Sequence, residues 1–478
     1  MDLRSCLATM VEEGMITKID DLVDWNLEAG AIMRYGNEHR GPAQWFTNIK
    51  DSMKGSSLLG GLFATFERLA VILGLPPDST YHELVDFYER GFIKRMKPKI
   101  VPSGICQQNV MLGDDVDLLK LPVPQLHPQD GGRYIGTLNI GVCKDLDSDW
   151  VNWGTYRGMI HDRRSTGIWL GPLNHGGMIL ARYREHSKVM EYAQFYGSDP
   201  LSNIVAASGV PYGVPEVEVV GGIRNQPVEL VKCKTVDLYV PADAEIVLEG
   251  TIDPAETKDE GPFGEYPGYV VAGVVKRPIF RLSAITYRNN PILPSTCLGV
   301  PLDDGLVWGL SVAANVKTLL SERGIPFKQV CVPAEAAWHA VIVSTKTPYA
   351  GIAQMIASLV WTDRNGSYFP YVIVVNDDID PANLQDVFHA VCTKCNPVTG
   401  VHIYPGYTNS PLAPYLAKTP FKELGAGGGN ILFDCTWPVT WNEKEVPDRL
   451  AFDNTYPEEI KRNVLANAQR WGLARSRS

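Results

Sequence analysis

A chain of 478 residues is two to three times the length of an ordinary domain, so two or three compact units are expected. With 45% hydrophobic, 21% charged and 9% aromatic residues the composition is globular, which excludes collagen, coiled coils and disordered tails. The 44 Lys and Arg against 54 Asp and Glu give a formal charge of −10 without a basic stripe, arguing against nucleic acid or an anionic membrane as partner.

Residues 1–100 read as a mixed α/β unit, with helical apolar spacing in Leu3–Met10, Leu27–Met33, Phe66–Leu73 and Leu84–Phe92, and extended runs at Ile16–Ile19 and Gln44–Ile49. Residues 101–300 change to β-branched runs cut by Gly, Pro and Asp: Ile135–Val142, Gly167–Leu170, Val217–Val220, Glu229–Cys233, Glu245–Leu248, Tyr269–Val275 and Ile279–Thr286. That pattern predicts an antiparallel barrel or sandwich. Between 301 and 450, helical Val307–Leu320, Gly351–Val360 and Leu384–Cys392 alternate with strand-like Gln329–Val332, Ala340–Val343 and Tyr371–Val375, predicting a second α/β unit. The tail, 451–478, carries a helical spacing over Glu458–Trp471 and is expected to dock on a neighbouring domain or subunit. The amino terminus runs into Glu12 and Glu13 without the pattern of a secretory signal, and the uncharged stretch Asn396–Ala417 is broken by prolines, so no span is expected. Nine scattered cysteines fit buried thiols in a reducing, cytoplasmic setting.

Two clusters carry chemistry. In Glu260-Gly-Pro-Phe-Gly-Glu265-Tyr266-Pro-Gly, two carboxylates lie five residues apart in a turn-forming context. If both face one pocket, desolvation and mutual repulsion raise one pKa toward neutrality, as a general acid requires; the competing reading is an acidic surface turn. Asn152-Trp-Gly-Thr-Tyr-Arg157 and Pro172-Leu-Asn174-His175-Gly-Gly form the second pair. An Asn, a His and a later carboxylate suit a hard cation with room for phosphate oxygens, although a lone His is more often structural. Cys392-x-x-Cys395, the acidic run Asn376–Asp380 and the glycines 425–429 are read as structural, since none has the spacing of a zinc cage or phosphate loop.

These strings, with Leu126-His-Pro-Gln-Asp-Gly-Gly-Arg-Tyr-Ile135 before them and Leu412-Ala-Pro414 near the end, resemble the UbiD family of prenylated-FMN-dependent decarboxylases. The resemblance implies a central split β-barrel flanked by amino- and carboxy-terminal α/β domains, the latter for oligomerisation, in a homodimer or larger assembly. It implies that Asn152, His175 and Glu216 hold manganese, with potassium nearby, although Glu218 is a second candidate acid. Gly154, Thr155, Arg157, Asn174 and Arg364 would join them around the cofactor, which a partner flavin prenyltransferase supplies. Glu265 would donate the proton that replaces CO2, with Arg157 orienting the substrate and Glu260 pairing with it. Thr155, Asn174, Tyr266 and Trp308 would wall the substrate pocket. A hydroxyaromatic or heteroaromatic acid is the preferred substrate class; cinnamate-type acrylic acids and polyprenyl-hydroxybenzoate are alternatives. From other classes, a non-decarboxylating FMN protein or oxidoreductase would not need the glutamates and Arg157, and a glycosidase would leave Asn152, His175 and Glu216 unexplained.

Overall fold

The computed structural model describes residues 1–300, 303–363, 366–419, 427–442 and 444–473. In the first hundred residues, helices Leu3–Glu12, Glu28–Glu38, Phe66–Leu73 and Tyr81–Phe92 start where apolar spacing predicts them, or within three residues. Capping explains three of these starts: Asp2, Thr65 and Thr80 each accept an amide from the third helical residue. Strands Ile16–Ile19, Ala43–Phe46 and Ser57–Gly60 form a small sheet whose fourth strand comes from far along the chain, Ile292–Ser295, parallel to Ser57–Gly60.

The central region is a nine-stranded antiparallel sheet whose pairing path runs open from Tyr134–Gly136 to Val151–Gly154. Its spine is a pair of long strands, Ile246–Glu260 and Val275–Tyr287, with register shifts at Glu249/Gly250 and Ile252/Thr257. Such irregularities bend a sheet and re-aim what lies beyond them. Beyond the second shift, Thr257–Glu260 pairs with Val275–Pro278, so Glu260 sits at the tip of a projecting arm. Trp153 is fully buried and meets Phe195 edge-on at 4.9 Å, tying the Asn152 strand to Met190–Tyr196, two strands away in the sheet.

Three expectations need correction here. Val217–Val220 lies in a helix, Glu216–Arg224, with acids in its first turn, Arg224 in its last and left-handed Asn225 as its cap. Those end signals outweigh the β-branched run, which is too short for periodicity to decide. Tyr269–Val274 joins no strand, and Tyr269, Val270 and Val274 are exposed. Ile135–Val142 is two strands, Tyr134–Gly136 and Ile140–Lys144, separated at Thr137–Asn139. Helices His175–Glu185 and Leu201–Ala206 also interrupt this otherwise β region.

The carboxy-terminal sheet has five strands in the order Gln329–Cys331, Ala340–Thr345, Tyr371–Asn376, Gly429–Cys435 and Val401–Pro405, with the middle three parallel. Ala340–Thr345 is buried throughout, as expected of a strand covered on both faces. Helix Leu306–Glu322 packs on Tyr81–Phe92, where Lys317 pairs with Asp86 and Glu89. The tail helix Glu458–Ala468 buries no residue. All nine cysteines are free and only Cys392 is exposed. No described helix is long and apolar enough to cross a membrane.

Candidate active site

A cavity of about 310 Å³ opens between the central sheet and the carboxy-terminal unit. At one end, strand Val151–Gly154 presents Asn152, helix His175–Glu185 begins with His175, and helix Glu216–Arg224 begins with Glu216. Asn174 caps the His175 helix, its side chain accepting the Gly177 amide at 2.8 Å. The helix can dock this closely because a Cβ on Gly177 would lie 1.9 Å from the Gly171 carbonyl. Glu216 is 2% exposed and accepts from Asn152 Nδ2 at 2.9 Å and the Trp153 amide at 2.8 Å; His175 Nδ1 lies 3.8 Å away. Burial pushes its pKa up, opposed by hydrogen bonds from His175 and the Trp153 amide. Glu218 is less buried, so Glu216 is the acid of this cluster. Tyr156 links the parts: its hydroxyl donates to Asn152 Oδ1 at 2.7 Å and accepts the Gly176 amide at 2.9 Å.

Farther along the wall stands Arg157. Its Nε and Nη2 donate to the two oxygens of Glu260 at 3.1 and 2.7 Å, and its Nη1 pairs with Glu265. The guanidinium lies 5.2 Å from the Trp169 ring and 5.4 Å from Phe263, and Arg277 takes up a position 5.4 Å from Trp169. One cation thus faces two buried carboxylates, 103 and 108 residues away in the chain. The pKa of Arg157 is raised: burial opposes its charge, but the two glutamates outweigh it. Glu265 is pushed up by burial and by Glu260, against the pull of Arg157 and Arg277. Tyr134 completes the cluster, donating to Glu260 Oε1 at 2.8 Å.

The third part is aromatic. Tyr266 meets Trp308 edge-on at 4.8 Å, and Trp338 lies 5.8 Å from Tyr266. The Tyr266 hydroxyl shares a 2.9 Å hydrogen bond with Ser410. Trp338 and its predecessor Ala337 both have left-handed backbones, φ 57° and 46°. Side chains pay roughly 1–3 kcal/mol for such conformations, which cluster at functional sites.

Of the residues singled out in the sequence, Asn152, Gly154, Thr155, Arg157, Asn174, His175, Glu216, Tyr266 and Trp308 all line this cavity. Glu260 and Glu265 stand behind Arg157 and do not line it. Arg364 lies outside the described residues. Trp169, Trp338, Tyr368 and Ser410 were not anticipated as wall residues, nor Arg277 as a second cation near Glu265. No group of three or more His, Cys, Asp or Glu gathers for a metal among the described residues. A cation at Glu216 would therefore have two such ligands plus the Asn152 amide.

The chain matches three stretches of one family: the 3-octaprenyl-4-hydroxybenzoate carboxy-lyase amino-terminal domain over 7–88, its Rift-related domain over 99–301 and its carboxy-terminal domain over 305–435. It is 33% identical to a pyrrole-2-carboxylic acid decarboxylase of Pseudomonas aeruginosa, over 98% of this chain and 97% of that one. It is 31% identical to ferulic acid decarboxylase 1 of Saccharomyces cerevisiae, over 99% and 98%. The closed form of vanillic acid decarboxylase from Sedimentibacter hydroxybenzoicus superposes with a TM-score of 0.86 at 28% identity, over 98% and 99% of the chains. An evolved UbiD-class enzyme from Pelotomaculum thermopropionicum, solved with prenylated FMN, shares the fold at TM-score 0.81 and 24% identity, over 93% and 97%. By these matches the chain belongs to the UbiD family of carboxy-lyases.

Proposed function

We propose that this protein releases CO2 from a hydroxyaromatic or heteroaromatic carboxylic acid, using prenylated FMN, and that Arg157, Glu260 and Glu265 carry the reaction. The observation that carries the proposal is the Arg157 guanidinium at the cavity wall, paired with two buried glutamates. Loss of CO2 from an sp2 carbon leaves charge that no side chain can accept, and a prenylated flavin bound here supplies the electron sink.

The residues present suit that cofactor and its ion. The amino-terminal end of helix His175–Glu185 opens on the cavity and favours a phosphate, and Trp169 contributes a buried Nε1–H that has no hydrogen-bond partner among the described residues. Glu216, His175 and Asn152 are hard oxygen and nitrogen donors appropriate to manganese, leaving positions for phosphate oxygens, with potassium as companion ion.

Glu260 occupies the Nε and Nη2 edge of Arg157, which leaves the Nη1 end to Glu265 and to an incoming carboxylate. A substrate carboxylate there competes with Glu265 for the guanidinium. Glu265, with its pKa already raised, then turns toward the ring and delivers the proton. Tyr266, Trp308 and Trp338 exclude water and stack on a flat ring. The Tyr266 and Ser410 hydroxyls favour a polar ring. The acrylic-acid reading draws on the indole and phenol surfaces of the same wall and on the 31% identity to the yeast enzyme.

The test is CO2 release from a panel of aryl, heteroaryl and acrylic acids, with protein co-expressed with a flavin prenyltransferase and supplied with manganese and potassium. Release from a hydroxyaryl or heteroaryl acid is expected. Silence across the panel, with a flavin absorbance band showing loaded protein, would refute it.

A further inference from the structure

The turn that bears Glu265 is short of internal support. Within it, the Glu265 amide reaches the Tyr269 carbonyl at 3.1 Å and the Gly268 amide reaches the Glu265 carbonyl at 2.9 Å. Beyond the Arg157–Glu265 pair, the Tyr134 hydroxyl that donates to the Pro262 carbonyl and the Tyr266–Ser410 hydrogen bond, further anchors come from two other segments. From one, Asp130 Oδ1 accepts the Gly264 amide at 2.8 Å and the Gly131 amide donates to the Pro262 carbonyl at 2.8 Å. The other is Cys297–Val300, which leads from the strand Ile292–Ser295 toward the carboxy-terminal unit. A Cβ on Gly268, at φ +82°, would lie 2.0 Å from Val300 Cγ2, so turn and segment touch directly.

His127 joins these two supports. Its Nδ1 faces Asp130 Oδ2 at 3.3 Å and its Nε2 faces the Leu298 carbonyl at 2.9 Å, with Cys297 Sγ at 3.5 Å. A carboxylate and a carbonyl only accept, so both ring nitrogens must donate and the ring is an imidazolium. Charge balance agrees, since the Asp130 side chain is fully buried and His127 is its one ion-pair partner among the described residues. Burial opposes the ring's charge, but hydrogen bonds to Asp130 and Cys297 push its pKa up to about 10. The imidazole lies flat against the turn: a Cβ on Gly264 would come within 2.6 Å of Nδ1. Arg34 secures the far side, donating to the Cys297 carbonyl at 2.9 Å and the Val300 carbonyl at 3.2 Å.

We propose that His127 and Asp130 are positioning residues, a charged clamp that locks the Glu265 turn onto the Cys297–Val300 segment and so fixes where Glu265 meets Arg157. The consequence for turnover rests on the role given to Glu265 above. The clamp itself does not, and two separate readouts distinguish them.

The first is hydrogen–deuterium exchange of flavin-loaded protein, compared among wild type, His127→Gln, Asp130→Asn and the double variant. Amides of residues 261–268 should exchange about fivefold faster or more in each variant, with the Ile246–Ile252 strand unchanged. The second is the rate of CO2 release per bound flavin. Each single variant should lose about tenfold in kcat with KM within about twofold, and the double variant should lose no more than the worse single, because both residues act through one path. Unchanged exchange in 261–268 overturns the clamp, whatever the activity. Faster exchange with unaltered kcat, or losses that multiply, overturns the positioning role. A wild-type protein that releases no CO2 would count against the decarboxylase reading alone, and exchange would still decide whether the clamp exists.

Discussion

Replacing Glu265 with Gln separates the two roles proposed for the carboxylate, pairing with Arg157 and proton delivery. Gln is isosteric and keeps an oxygen for Arg157 Nη1, so the guanidinium stays between Trp169 and Phe263 and still pairs with Glu260. What disappears is the transferable proton. A positioned general acid contributes about 10²–10⁴ in rate, so kcat should fall by about that factor. At 1.36 kcal/mol per decade the loss is roughly 3–5 kcal/mol of transition-state stabilisation. Stability should move the other way. Two buried carboxylates share one cation, and burial together with Glu260 already disfavours the ionised form of Glu265. A neutral amide relieves that repulsion, so the thermal midpoint should be equal to wild type or higher. The assay is CO2 release normalised to flavin absorbance, alongside a thermal melt of the same sample. Release at the parental rate would refute the reasoning, as would a loss of turnover that merely follows loss of flavin.

Three further outcomes are expected. Asp303 is fully buried and its pKa is raised by burial to about 7, so the folded state holds its proton more tightly than the unfolded chain does. Its contribution to stability is present below about pH 4 and lost as pH rises through 7, a fall of up to about 4 kcal/mol that Asp303→Asn should lack in denaturant titrations across that range. Gly177→Ala places a Cβ 1.9 Å from the Gly171 carbonyl, so helix His175–Glu185 must shift; flavin retained per chain after desalting should drop, with roughly 1–3 kcal/mol lost in unfolding experiments. Glu216→Gln removes the buried charge beside His175, and manganese retained per chain should fall about tenfold or more by elemental analysis.

The readable parts of this molecule are those where local chemistry and tertiary context agree. Phe66–Leu73 combines apolar spacing with the Thr65 cap and left-handed Gly74, and it is found where the pattern puts it. Val217–Val220 shows the opposite case, a β-branched run whose partners make a helix, though Arg224 and Asn225 had marked its end. The exposed residues Ala255 and Lys258 obscure the long arm that ends at Glu260. Within the site, the pairing of Arg157 with Glu260 and Glu265 spans more than a hundred residues, so no spacing rule reveals it and only the family resemblance brought the three together. Trp169, Trp338 and Arg277 sit in strings without unusual composition. Their importance comes from what they stack on, which a linear pattern does not carry.

The strand Ile292–Ser295 bears on how the protein is made. It completes the amino-terminal sheet by pairing with Ser57–Gly60, whose four residues are all buried in the finished fold. On the ribosome that edge emerges roughly 230 residues before its partner. At about 5–20 residues per second, the delay is roughly 10–50 s. During that interval Ser-Leu-Leu-Gly is an unpaired, largely apolar edge, the kind that recruits other chains. A fragment ending near residue 100 would leave this edge without its parallel partner. The nascent enzyme would depend on chaperone cover until its central sheet has been synthesised.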